Sequence, residues 1–199
     1  MKRKIITAVL TALVLSTSCA AVKKERKQEK ATSLEVSFNY QRQNDHGSNQ
    51  YAVWIENESG DVVKTLFVTL FTAKGRARGD EKPVRGYIKR PYCVPNWVKA
   101  AKADNLSDQQ IDAVSGATPQ VSGLQTFTWD FTDQEGKKVE YGTYKVFVEA
   151  TLFDPSSITY SGTFTIPGKP GESVTFSSQI TEPDEKHKDM VTEVKAVLR

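Results

Sequence analysis

The chain has 199 residues, of which 38% are hydrophobic and 26% charged, enough for one well-filled core but not for two ordinary domains. Its 27 Lys and Arg stand against 24 Asp and Glu, for a formal net charge of +3. Three of those cations, Lys2, Arg3 and Lys4, open the chain, so the remainder is neutral and no surface for nucleic acid is expected.

Residues 1–19 have the form of an export signal: the basic start is followed by an apolar run over 5–15, too short to span a bilayer. Two processing routes fit its end. Cys19 is a candidate for lipidation, although the position three before it is Ser16 where leucine is usual, and an ordinary peptidase could instead cut after Ala20 or Ala21. Lipidation is the favoured reading. Either route puts the mature chain outside the cytoplasm, in the periplasm or lipid-anchored to the cell envelope, with a lipid as its only membrane contact. Residues 20–32 alternate both charge signs without apolar periodicity, the pattern of a solvated tether. With Cys19 modified or removed, Cys93 has no partner for an intrachain disulfide and is read as a small buried residue. His46 and His187 lie in polar or charged stretches, so neither a zinc site nor a Ser-His-Asp triad is expected.

From residue 33 onward the sequence reads as β. Leu34, Val36, Phe38 and Tyr40 alternate with polar residues at period 2, and Tyr51, Val53 and Ile55 continue the pattern up to a turn at 57–61. A strand is expected over 62–71, with Leu66, Val68 and Leu70 on one face. Further strands are expected at 126–129, 143–153, 161–166, 173–180 and 190–198. In 143–153, Tyr144, Val146, Val148 and Ala150 face the core and Lys145 and Glu149 oppose them. Short strands at this spacing imply a mainly β chain, a single antiparallel sandwich over 33–199.

An insertion over about 75–124 interrupts the sandwich. Pro95 suits the first position of a helix running to about residue 103. Ser107-Asp108-Gln109-Gln110 is a capping-box start for a second helix, ending at Val114-Ser115-Gly116. Long excursions from a rigid scaffold usually carry function. The basic cluster Lys82, Arg85, Lys89 and Arg90 is either a solvated loop or a contact for a phosphate or an acidic partner.

The segment leaving the second helix, Asp112-Ala113-Val114-Ser115-Gly116-Ala117-Thr118, resembles the Asp-x-x-Ser/Thr-Gly-Ala-Thr site that a periplasmic flavin transferase modifies in bacterial electron carriers. The resemblance implies FMN on the Thr118 hydroxyl through a phosphoester. Asp112 would be read by the transferase, while Ser115, Gly116 and Ala117 supply small flanks and a hinge. Pro119 disfavours helix for Thr118 and so presents it. Pro119 and Gln120 stand where many such carriers continue with further hydroxyl residues. Trp97, and after it Tyr92, are the expected platforms for the isoalloxazine ring.

Two other likenesses concern the scaffold. The run 129–136 with Tyr141-Gly142-Thr143-Tyr144 is similar to the hairpin of the immunoglobulin-like domain in flagellar hook-capping proteins. Tyr51-Ala52-Val53-Trp54-Ile55-Glu56, Val63-Lys64-Thr65-Leu66, Pro95-Asn96-Trp97 and the 112–119 segment, taken in order with that hairpin, resemble the exported family called domain of unknown function 2271. That resemblance implies an immunoglobulin-like sandwich associated with extracytosolic, flavin-based electron transfer. The expected function is a redox carrier and not an enzyme, with the flavin transferase and a membrane or periplasmic redox protein as partners. The alternative is a cofactor-free immunoglobulin-like binding or assembly module of the cell envelope.

Overall fold

The alternation at 34–40 becomes a strand whose even positions are buried, in a computed structural model that describes residues 29–45, 47–76, 79 and 83–199. The expected signal, Cys19, most of the tether, His46 and Lys82 lie outside the described residues. The strands are β1 (Leu34–Tyr40), β2 (Gln50–Asn57), β3 (Val62–Thr69), β4 (Ser115–Gly116), β5 (Gly123–Trp129), β6 (Gly142–Phe153), β7 (Ser156–Ile166), β8 (Ser173–Val174), β9 (Phe176–Thr181) and β10 (Val191–Leu198). They form a four-stranded sheet, β5-β1-β10-β8, and a six-stranded sheet, β4-β3-β2-β6-β7-β9. The chain is therefore mainly β, a sandwich with a short helical insertion. Every pairing is antiparallel except that of β3 with β4.

The core between the sheets is aromatic. Tyr51 stacks on Phe67 with ring centroids 5.1 Å apart and meets Phe38 edge-on at 5.4 Å. Trp129 is fully buried, with Phe131 and Tyr144 packed edge-on to its ring. Each such side chain contributes roughly 1.5–3 kcal/mol by leaving water. The fold takes up the chain from Ala31, two residues before the expected boundary: its N–H donates to Gly168 O at 3.0 Å, and that of Thr32 to Arg199 O at 2.6 Å.

Between β3 and β5 run α1 (Leu70–Lys74), α2 (Gly86–Lys89), α3 (Pro95–Ala100) and α4 (Asp108–Val114), with a 3-10 turn at Ala103–Asn105. Pro95 opens α3, and Ser107 and Gln110 close a reciprocal capping box on α4. These helices cover the outer face of the six-stranded sheet, where Ala52, Trp54 and Val68 pack against Trp97, Ile111 and Val114. Both faces of β2 are thus buried, which explains why Ala52 and Trp54 are apolar as well as Tyr51, Val53 and Ile55.

Three strand expectations change. The strand expected over 62–71 ends at Thr69, and Leu70 starts α1 with its side chain 40% exposed. A register shift opposite Val53 and Trp54 makes Leu66 the extra residue, so Leu66 packs into the sandwich while Val68 faces the helical layer. The strand expected over 173–180 divides at Thr175, and its two parts belong to different sheets. Glu149, opposed to the core face as expected, is buried all the same, because α3 lies over it.

Candidate functional site

Helix α4 delivers the 112–118 segment to the edge of the six-stranded sheet. Its capping box starts it, and the Ser115 N–H bonds back to Ile111 O as the chain leaves the helix extended. Ser115 and Gly116 then pair in parallel with Val68 and Thr69. The segment is fastened on both sides of Thr118: β4 holds it before that residue, and Arg42 Nη1 donates to Pro119 O at 3.0 Å after it. Gly116 acts through closeness and not as a hinge. A Cβ there would lie 2.4 Å from Phe67 Cε2, so only glycine lets this backbone lie against the ring.

Ala117 is exposed and Thr118 half-buried. Among the described residues the Thr118 hydroxyl has no hydrogen-bond partner, while its carbonyl accepts from Gln120 Nε2 at 2.9 Å. Asp112 lies on the exposed side of α4 and is ion-paired with Lys74.

Thr118 opens onto a cavity of about 500 Å³. Arg42, Arg76, Lys89 and Arg90 line it, with Gly47 to Gln50, Phe71 and Gln120 completing the wall. The Arg76 and Arg90 guanidinium carbons lie 5.9 and 5.2 Å from the Phe71 ring centre, within cation–π range. Among the described residues none of the four cations is ion-paired. Four like charges around one cavity repel one another, and an anion in the cavity would relieve that repulsion. A phosphodiester suits the donor set, since guanidinium forks bind phosphate oxygens in pairs. The residues present fit the phosphate end of FMN.

The expected aromatic platforms lie elsewhere. Trp97 is 0% exposed in the helical layer, and its indole N–H donates to Thr65 Oγ1 at 3.1 Å, so no ring stacks on it from solvent. Helix α3 turns Trp97 inward because its N-terminus is drawn onto the sheet by Glu149. Tyr92 is half-buried, with its phenol beside Asp154 and its carbonyl accepting from Thr151 Oγ1 at 2.8 Å, and is not part of the Thr118 cavity wall. The aromatic ring that lines the Thr118 cavity is that of Phe71.

The basic cluster also divides. Lys89 and Arg90 reach the cavity, whereas Arg85 donates to Ala103 O and Leu106 O, fastening the 3-10 turn. Arg42, Phe71 and Arg76 escaped the sequence reading because they come from the loop after β1, from α1 and from the segment after α1, far from the motif in the chain. Cys93 is buried, and its thiol is pushed up to about 11 by burial, so it is no thiolate at neutral pH. A larger cleft of about 740 Å³ runs between α3 and β7 on the outer sheet face, away from Thr118.

His187 is buried despite its charged neighbours. Its ring stacks on Phe153 at 5.5 Å, Nδ1 meets Asp184 Oδ2 at 2.7 Å, and Nε2 meets Asp45 Oδ1 at 2.9 Å. The hydrogen bond to Asp184, and then that to Asp45, raise the imidazole above its ordinary pKa. The group ties the 182–189 loop to the 41–49 loop that walls the Thr118 cavity. Among the described residues no cluster of His, Cys, Asp and Glu could hold a metal ion, and no helix is long and apolar enough to cross a membrane.

No curated protein matches the chain, and no solved structure does. A family model described as "Predicted periplasmic protein (DUF2271)" matches residues 32–180, the whole span from β1 through the Thr118 segment to β9. The chain therefore belongs to the family called domain of unknown function 2271, whose members are described as periplasmic.

Proposed function

We propose that the protein is an extracytosolic electron-transfer carrier bearing FMN as a phosphoester on Thr118, attached by a flavin transferase. The observation that supports it is that Thr118 lines a cavity together with Arg42, Arg76, Lys89 and Arg90. Attachment forms one bond, from Thr118 Oγ1 to the flavin phosphorus. The phosphoanhydride bond of the transferase's activated flavin dinucleotide breaks, its nucleoside monophosphate leaves, and the hydroxyl proton passes to a base of the transferase. The bound flavin supplies the redox chemistry, and the chain supplies binding, orientation and charge. Arg42 holds the backbone after the acceptor, Arg76 and Arg90 present cations above Phe71, and β4 sets the distance of Thr118 from the sheet. The chain is a carrier and not an enzyme; a redox protein of the membrane or periplasm would load and unload it.

Coexpression of the exported chain with a flavin transferase tests this directly. Intact mass should rise by one FMN, with in-gel flavin fluorescence, and Thr118→Ala should abolish both. An unmodified wild-type protein, or an adduct that survives Thr118→Ala, overturns the assignment.

A further inference from the structure

Among the described residues β9 is an edge strand of the six-stranded sheet, bonded on one side to β7 with no strand on the other. Its pairing with β7 runs without a break from Ser157–Thr181 to Gly162–Phe176. Soluble proteins guard such edges with charges, prolines, bulges or covering loops. β9 carries no charge, proline or bulge, in a chain that is 26% charged, and among the described residues nothing covers it, five of its six residues being exposed. The opposite edge of the same sheet, β4, is two residues long and leads into Pro119. In the other sheet β5 is also uncharged, but it lies against β3 at the corner of the sandwich.

We propose that β9 pairs antiparallel with β9 of a second copy, across a two-fold axis at Ser178. The axis stands perpendicular to the joined sheet, so facing residues must lie on the same face, and the axis passes through a residue and not between two. Phe176, Ser178 and Ile180 point to the core side, in register with Gly162, Tyr160 and Ile158. With the axis at Ser178, Phe176 of each copy faces Ile180 of the other, which covers an isoleucine that is 45% exposed in the single chain. On the outer side Ser177 faces Gln179. Moving the axis to Gln179 sets Phe176 against the Glu182 carboxylate. Moving it to Ser177 requires Val174, which already pairs with Ala196 in the other sheet. One register satisfies the side chains.

Five paired residues of each β9, Phe176 to Ile180, bury less than a standard interface, so the dimer is weak in free solution and strengthened wherever chains are concentrated. The pairing is independent of the flavin reading.

Cross-linking of the exported chain tests it. Facing Cα atoms in an antiparallel pair are roughly 4.5–5.5 Å apart, within disulfide range. Ser178→Cys should oxidise to a disulfide-linked dimer, with the 178–178 peptide identified by mass mapping. Ser177→Cys should link only when mixed with Gln179→Cys. Sedimentation velocity over a concentration series should show monomer–dimer exchange that Ile180→Lys abolishes, with circular dichroism unchanged. A chain that stays monomeric throughout, with Ser178→Cys linking no faster than Ser177→Cys alone, overturns the proposal. So does a dimer that survives a folded Ile180→Lys variant.

Discussion

The Glu149 carboxylate accepts the backbone N–H of Trp97 at 2.9 Å, a bond that joins the six-stranded sheet to the helical insertion. The Asn96 N–H bonds the other oxygen at 3.0 Å, so a strand side chain caps the start of α3. The first N–H groups of a helix lack partners within it, and a buried carboxylate there meets both the donors and the positive helix end.

That joint carries a pH dependence. Burial pushes the Glu149 carboxyl up to about 7 from an ordinary 4.5, partly opposed by the two backbone N–H groups. The unfolded chain releases this proton near its ordinary pKa while the folded chain keeps it to about 7. Stability therefore falls as pH rises between those values and levels off above them. The loss is roughly 2–4 kcal/mol over that window. Urea midpoints across the same range should slope for the wild type and lose this component in Glu149→Gln. Parallel curves for the two proteins would refute it.

His187 contributes with the same sign over a higher window. Its folded pKa is raised, chiefly by Asp184, so the stabilisation is complete below its ordinary 6.5 and is lost as pH rises through the folded value. The chain has two histidines, which makes the NMR titration simple to assign. The His187 ring should titrate above 6.5, and amide exchange in the 43–49 loop should quicken above that midpoint. A midpoint at or below the ordinary value would contradict the pairing.

Gly116→Ala places a methyl group against the Phe67 ring, which Tyr51 and Phe127 hold from the other side. Overpacking of this kind costs about 1–3 kcal/mol. Thermal melts should show the loss, and β4 should detach from β3 before the rest of the fold. A neutral result would mean that the backbone yields there.

Two aromatic substitutions separate Phe71 from Trp97. Trp97→Phe removes the bond to Thr65, at about 1–3 kcal/mol for the hydroxyl left behind. It should leave flavin loading unchanged in coexpressed protein. Phe71→Ala should leave the melting profile nearly intact but lower the loaded fraction or alter flavin fluorescence. The reverse pattern would return the platform to Trp97.

Much of this was readable along the chain. The period-2 alternation of 34–40, the capping box at Ser107 and the proline at the head of α3 are local signals, and each led to the element found. The bulge at Leu66 was hidden because a register shift depends on the neighbouring strand. The burial of Glu149 was hidden because its cover, α3, lies about fifty residues earlier.

What the sequence by itself determined was the β-sandwich with its insertion and the family resemblance that the family model bears out, and it singled out Thr118 for the proposal. All three rest on spacing and short motifs, which survive without knowledge of the fold. Only the tertiary structure decided what surrounds that threonine. Arg42, Phe71, Arg76 and Arg90 line one cavity with Thr118 although they come from the loop after β1, from α1, from the segment after it and from the residue after α2. Trp97 goes to the core because the helix that carries it is capped from beneath by Glu149.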